Sequence, residues 1–328
     1  MSNTVSCELN RVELVSDSVH RSRLVVGIAT RRRPSVLTDT LAIVQSQSRP
    51  PDSIYISYVE ESDVSEARLQ FPALHYLEAP AGLTRQRNRI LDEVESDDVL
   101  VFLDDDFHLH RDFLFWMETV FCDHPRVVAA TGQVLADGIN GPGLTAKDAA
   151  PLLQRNGDGS RHIELKPVFN AYGCNMAVRL HPVREASLRF DERLPLYGWY
   201  EDVEFCRQLA PFGQIVRVDQ AMGVHLGSKS GRQSGRQLGY SQVANPFYLA
   251  RKKRVSWLYA CASMLSRTSK NLYKSIRPEP WVDRRGRLQG NLQGWMDMMR
   301  GTLDPMKVMT FATPAANVRK GPPVGKQN

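Results

Sequence analysis

Residues 99–106 read VLVFLDDD: five apolar residues in succession, then three carboxylates. An apolar run of this length, with its β-branched and aromatic members, predicts a strand buried on both faces. Three acids at its end would repel one another and lose hydration unless a cation joins them. A divalent ion such as Mg²⁺ or Mn²⁺, shared between carboxylate and phosphate oxygens, relieves that cost. The other reading of the same residues is a solvated acidic loop.

Working outward, LVVGIAT (24–30) is a second buried strand, stopped by Arg31–Arg33 and Pro34. Val36, Leu37, Leu41, Ile43 and Val44 follow at helical spacing. Further strands are predicted at Ser53–Tyr58 and Leu74–Leu77, with a polar helix from Leu83 to Val94 before the acidic strand. This alternation predicts an α/β fold: a mainly parallel central sheet, helices on both faces, and ligands beyond the carboxyl ends of the strands.

Past Asp112 come an amphipathic helix with Phe113, Phe115, Trp116 and Val120, and a strand at Val127–Thr131. The Gly- and Pro-containing stretch from Gly138 to Gly159 reads as a mobile loop able to act as a lid. Regular structure is expected to resume over Phe169–Val178, with a helix near Glu201–Ala210, a short strand at Ile215–Val218 and a basic helical tail beyond Phe247.

Composition narrows the class. Hydrophobic residues at 42% and charged residues at 24% exclude wholesale disorder. Five scattered cysteines without a CxxC pair argue against a disulfide framework or a cysteine zinc site and point to a reducing compartment. No stretch has the length of a membrane span, and the N-terminus lacks the apolar core of a signal peptide, so the expected location is the cytoplasm. The net charge of +6 is gathered in local runs, and aromatics do not interleave with them as nucleic-acid stacking platforms would.

Two further segments carry chemistry. GWYEDVEF (198–205) sets Glu201 and Asp202 at the entrance of a helix beside Trp199 and Tyr200. Acids there can simply complement the helix dipole; a carboxylate flanked by aromatics also suits stacking a sugar ring and accepting a proton from its hydroxyl. His225, in GVHLG (223–227), gains meaning only if the chain returns it toward Asp106, where its imidazole would complete a metal site and Gly227 would permit close backbone approach.

In order and spacing, VVGIATRRRP (25–34), GLTRQRNR (82–89), FLDDD (102–106), FNAYGCNMAVR (169–179), FDERLPLYGWYEDVEF (190–205) and His225 resemble glycosyltransferase family 2 enzymes of the GT-A fold, over roughly residues 23 to 240. The resemblance implies a Rossmann-like nucleotide-binding half (23–106), an acceptor half (107–245), a basic helical C-terminal extension (246–328) and a leader or edge segment (1–22). It further implies an inverting, metal-dependent transfer of sugar from a nucleotide diphosphate, with UDP the expected nucleotide, to a carbohydrate or lipid-linked acceptor in surface polysaccharide or glycolipid synthesis.

On that resemblance Thr30, Arg31, Arg87, Asn88, Asp104 and Asp105 line the donor site, Asp106 and His225 hold Mn²⁺ or Mg²⁺, Asp202 is the base, Glu201 orients the acceptor, and Trp199 and Tyr200 contact it. The chain departs from the family after the second strand, where YVEESD (58–63) replaces an Asp-rich turn. Glu60, Glu61 or Asp63 is left to contact the base. Arg31–Arg33 is either a diphosphate site or a solvated turn, and Arg232 and Arg236 are either a closing flap or a linker. RKKRVSWLYACASMLSR (251–267) opens a helix (251–270) that either lies on an anionic membrane or packs on the domain. A nucleotidyltransferase would want a Gly-rich phosphate loop with a Lys, which TRRRPS is not; a non-catalytic carbohydrate-binding relative would be favoured by loss of Asp106 or Asp202, and both are present.

Overall fold

The computed structural model describes residues 23–95, 98–155, 163–229 and 234–311; the 1–22 segment, Arg232 and the end of the chain lie outside these. In chain order the strands and helices are β1 (Leu24–Ala29), α1 (Pro34–Gln45), β2 (Ser53–Tyr58), α2 (Ser65–Gln70), β3 (His75–Glu78), α3 (Leu83–Leu91), β4 (Val99–Asp104), β5 (Phe107–Leu109), α4 (Phe113–Asp123), β6 (Val127–Asp137), α5 (Ala146–Arg155), β7 (Leu165–Pro167), β8 (Asn175–Arg179), α6 (Leu180–Glu185), α7 (Glu201–Leu209), β9 (Gln214–His225), α8 (Gly235–Arg251), α9 (Trp257–Ser275) and α10 (Arg284–Met299). Among the described residues the strands form one sheet in the order β3-β2-β1-β4-β8-β6-β9-β5, with β7 added to β9.

The first four strands in that order are parallel, and beyond β4 the pairing is mixed, because β8 runs antiparallel to both β4 and β6. Alternate residues of the apolar runs serve opposite faces. Leu24, Val26, Ile28, Val101 and Leu103 pack with Leu37 and Leu41 of α1 and Phe113 and Met117 of α4. Val25, Leu100 and Phe102 pack with Ile90 and Leu91 of α3 and Phe205 and Leu209 of α7. A strand covered on both sides must be apolar throughout, which is why these runs show no alternation.

The register sets Ala29 beside Asp104, so β1 and β4 end together and their following loops open on one edge. β9 is much longer than the four residues expected: it continues to His225, pairing with β6 through register shifts after Gly132 and Val134. Those irregularities absorb the polar residues Asp219 and Gln220 that mask the strand in the sequence. The stretch expected as a mobile loop holds a helix instead. α5 buries Ala149 against Val224 and Leu226, with Leu152 and Leu153 beside it, and Pro151 within it hides the helical pattern. Conversely, Phe169–Cys174 is not strand; its backbone is used for side-chain contacts described below.

The C-terminal helices form a layered trio, and α8 runs unbroken across residue 245. A buried polar network joins them: Asn271 donates to Gln242 and Asn291 at 3.0 and 2.8 Å, and Arg284 donates to Asn271 at 3.1 Å. Arg236 sits in the first turn of α8, where it donates to Gln293 and stacks on Phe311. It ties α8 to α10 and is not a flap over the sheet edge. No described helix is long and apolar enough to cross a membrane.

Candidate active site

The strand ends gather two groups of acids. At the end of β4, Asp104 and Asp106 face His225 from the end of β9, with Nε2 3.7 Å from Asp104 and 3.3 Å from Asp106. β5 fixes this meeting, since Phe107 pairs in register with His225. One ligand atom from each residue lies within 4.8 Å of the others. Two carboxylates and an imidazole form a donor set suited to a hard or borderline divalent cation.

His225 is oriented from behind. Its Nδ1 lies 2.9 Å from Asp137, which also accepts a hydrogen bond from the Tyr172 hydroxyl at 3.0 Å. A carboxylate on the far ring nitrogen is the usual support of a metal-binding histidine. Burial by itself would lower the His225 pKa, but its hydrogen bonds to Asp106 and Asp137 and the nearby Asp104 outweigh it and push it up to about 10. Burial likewise works against the Asp106 anion, yet His225, Arg33 and the Ser228 N–H at 2.7 Å hold its carboxyl below the usual carboxylate range. Nε2 thus faces the two carboxylates across the space where a cation would sit. Gly227 makes the backbone approach possible: it has φ +66°, and a Cβ there would come within 2.3 Å of Gly138.

Asp105 points the other way. It is fully buried, accepts from Thr30 Oγ1 at 2.8 Å and lies 3.2 Å from Arg33, while Thr40 donates to its carbonyl at 2.7 Å. Burial pushes its pKa up to about 7. Arg33 spans Asp105 and Asp106, so of the three consecutive arginines it is the one folded into the acids. Arg31 is half-buried, and Arg32 is exposed with its backbone at φ +59°.

The second group begins α7. Glu201 is buried and lies 2.7 Å from Arg87, whose other nitrogen is 3.4 Å from Asp104. Arg87 is 2% exposed, clamped between the rings of Phe102 and Phe190, and donates to the Gly173 carbonyl at 2.7 Å. One guanidinium therefore bridges the two acid groups. Glycine at 173 leaves room for this closeness, since a Cβ would meet Glu201 Oε1 at 2.8 Å unless that side chain shifted. Asp202, half-buried, accepts from Gly173 N at 3.2 Å, Asn170 at 3.3 Å and Val203 N at 2.8 Å. Burial pushes Glu201 up to about 8 and raises Asp202 as well.

Trp199 and Tyr200 precede these acids in a contorted turn, with Leu196, Gly198 and Tyr200 all at positive φ. A bulky residue in that region costs on the order of 1–3 kcal/mol and persists only where surroundings enforce it. Here Asn245 donates to the Trp199 carbonyl at 2.7 Å and the Tyr200 hydroxyl meets Ser263 at 2.6 Å.

No protein-family model and no curated protein matches the chain. Solved structures do match in shape. A mannosyltransferase from Pyrobaculum calidifontis, in complex with GDP-Man and Mn²⁺, superposes with a TM-score of 0.51 over 85% of this chain and 88% of its own, at 16% identity. This chain has the GT-A fold. Glucosyl-3-phosphoglycerate synthase from Mycobacterium tuberculosis, with Mn²⁺, UDP and phosphoglyceric acid, gives 0.48 over 71% and 78% at 17% identity. Residues 1–349 of S. aureus TarS, in complex with UDP-GlcNAc, give 0.47 over 87% of this chain and 82% of that fragment at 12% identity.

Within this GT-A chain, the residues singled out from sequence divide clearly. Asp104, Asp106, His225, Arg87, Glu201 and Asp202 form one continuous assembly, and Thr30 and Asp105 adjoin it through Arg33. Asn88 does not join: its amide is spent on Phe190 N at 2.9 Å, Phe190 O at 3.0 Å and Glu192 at 3.0 Å, holding the segment that leads to α7. Of the acids after β2, Asp63 is fully buried and accepts from the backbone N–H groups of Arg32, Val59 and Glu60, while Glu61 pairs with Arg68. Glu60 remains exposed at the sheet edge, 4.0 Å from Arg32. Sequence reading missed Asp137 and Tyr172. An acid just before Gly138 at the end of an apolar strand repeats the pattern that marked Asp104 and was the available signal.

Proposed function

We propose that the chain is an inverting glycosyltransferase moving a sugar from a nucleotide diphosphate to an acceptor hydroxyl, with Asp202 as the base. One observation carries the reading: the Asp104–Asp106–His225 group and the Glu201–Asp202 pair lie on either side of a single buried guanidinium, Arg87. A cation site for a diphosphate and a proton acceptor for a hydroxyl are thus held at fixed spacing. The Pyrobaculum enzyme of similar fold is in complex with GDP-Man and Mn²⁺, which supports a nucleotide-sugar donor and a divalent cation here.

A divalent cation held by Asp104, Asp106 and His225 would supply positive charge where the leaving diphosphate gains negative charge. Asp202 takes the hydroxyl proton as the acceptor oxygen bonds to the anomeric carbon and the anomeric C–O bond to the diphosphate breaks. Attack on the far face inverts that carbon. General-base assistance of this kind is worth about 10²–10⁴-fold. Asp202 suits the task because its raised pKa gives it affinity for the proton, and it is more open than Glu201. Glu201, paired with Arg87, orients the acceptor; Trp199 and Tyr200 offer it aromatic faces. Thr30, Arg31, Arg33, Glu60 and Asp105 form the donor side.

We place the enzyme at the inner face of the cytoplasmic membrane, acting on a surface polysaccharide or glycolipid precursor. Leu258, Leu265 and Leu272 of α9 and Ile276 just past its end support this, exposed along one stripe with Lys270 and Arg277 close by in the chain. The activity is tested by screening nucleotide sugars for Mn²⁺-dependent stabilisation and hydrolysis. Asp106→Ala should weaken Mn²⁺-dependent nucleoside diphosphate binding by at least about tenfold; unchanged affinity by calorimetry would move the metal site elsewhere.

A further inference from the structure

On the flank of α7 a cavity of about 590 Å³ opens between Phe169, Arg207, Lys253, Arg254, Trp257 and Tyr259. The chemistry above does not use it. Three of these side chains are cations and three are aromatic, and no acid lines the cavity. Arg254 directs its Nε to buried Glu204 at 3.1 Å. Arg207 stacks on Phe169, 4.2 Å from the ring centre, and its Nε is buried without a hydrogen-bond partner. Among the described residues no carboxylate pairs with Arg207 or with exposed Lys253. Lys253 is held at φ +59°, a conformation that favours glycine. Burial lowers the Arg207 pKa, consistent with a cation short of counter-charge.

The cavity adjoins the proposed base. Phe169 precedes Asn170, whose amide bonds Asp202, and the Tyr259 ring packs on both Phe169 (5.4 Å) and Tyr200 (6.1 Å). Arg207 lies five residues beyond Asp202 on α7, about 7.5 Å of helical rise. Aromatic rings of the cavity wall therefore pack on Tyr200 and lie beside Asn170, the one close in the chain to the group that would accept the acceptor's proton and the other hydrogen-bonded to it.

We propose that this cavity holds a phosphate group of the acceptor, so that the acceptor is an anion whose hydroxyl extends to Asp202; this rests on the transfer reading above. Arg207 and Lys253 supply charge-assisted hydrogen bonds to the phosphate oxygens, and Phe169, Trp257 and Tyr259 cover the carbon skeleton beside it. The phosphate can belong to a water-soluble sugar phosphate or to a lipid headgroup.

The test titrates the full chain with inorganic phosphate and with glycerol phosphate by calorimetry, in wild type, Lys253→Gly and Arg207→Gln. Lys253→Gly deletes a charge while relieving the left-handed backbone, so loss of fold does not confuse it. Both variants should lose at least about tenfold in phosphate affinity while Mn²⁺-dependent nucleoside diphosphate binding stays as in wild type. Flotation with phosphatidylcholine vesicles carrying phosphatidic acid, abolished in Lys253→Gly, would identify the headgroup as the source; phosphate binding without flotation would identify a soluble acceptor. Equal phosphate affinity in all three proteins would overturn the proposal. Phosphate binding that depends on Lys253 in a chain unable to bind any nucleoside diphosphate would instead overturn the transfer reading and leave the anion site standing.

Discussion

Both acid centres of this chain are built around carboxylates, and Asp106 in one is tuned opposite to Glu201 and Asp202 in the other. At the strand ends, His225 and Arg33 hold Asp106 below its usual range despite burial. At the start of α7, burial wins over the attraction of Arg87, and Glu201 and Asp202 are both raised. The contrast teaches that the count of acids says little. One centre keeps its charge and suits a cation; the other retains affinity for protons and suits base work. The difference comes from backbone architecture: β4, β5 and β9 bring a histidine to the first centre, whereas the second receives one guanidinium shared with Asp104.

Because Arg87 joins the centres, removing it should break both at once. Arg87→Met keeps most of the aliphatic packing between Phe102 and Phe190 but removes the guanidinium that Asp104 and buried Glu201 share. The expected cost is about 3–5 kcal/mol of stability, as for other buried pairs deprived of one partner, together with loss of transfer. Denaturant unfolding measures it; a loss under about 1 kcal/mol would show that the bridge is incidental.

Separating the centres is the next largest effect. Asp202→Asn preserves size and much of the hydrogen bonding but cannot take a proton at neutral pH. Donor binding should persist while transfer falls by at least about a hundredfold, and Glu201→Gln should lose less. Wild-type transfer in Asp202→Asn would remove the base and the one-step inversion with it.

The narrowest test concerns proton affinity alone. Glu201 has its pKa raised from 4.5 to about 8, so the folded chain holds a proton that the unfolded chain releases. Its stabilising contribution is complete below 4.5 and is lost as pH rises toward about 8. Wild type should therefore lose stability relative to Glu201→Gln between about pH 5 and about pH 9. Parallel denaturation midpoints across that range would show that the carboxylate is fully stabilised by Arg87.

The parallel half of the fold was legible because its strands are covered on both faces: nothing but an unbroken apolar run can occupy such a position, and LVVGIAT and VLVFLDDD declare themselves. The abrupt change to three acids likewise marked the sheet edge. Helix α5 was hidden by Pro151, and the length of β9 by Asp219 and Gln220, since local polarity there is answered by partners far along the chain, as in the pairing of Asp219 with Lys166. Which acid does what was not local either. Asp105 differs from its neighbours only in pointing at Thr30; Asn88 and Asp63 look like ligands in sequence and are consumed by backbone groups in the fold. Residue type and order determined that carboxylates would crowd the ends of these strands. Tertiary structure alone decided which of them remain charged, because desolvation and the nearest cation act over a few ångströms in space, and the sequence fixes neither distance.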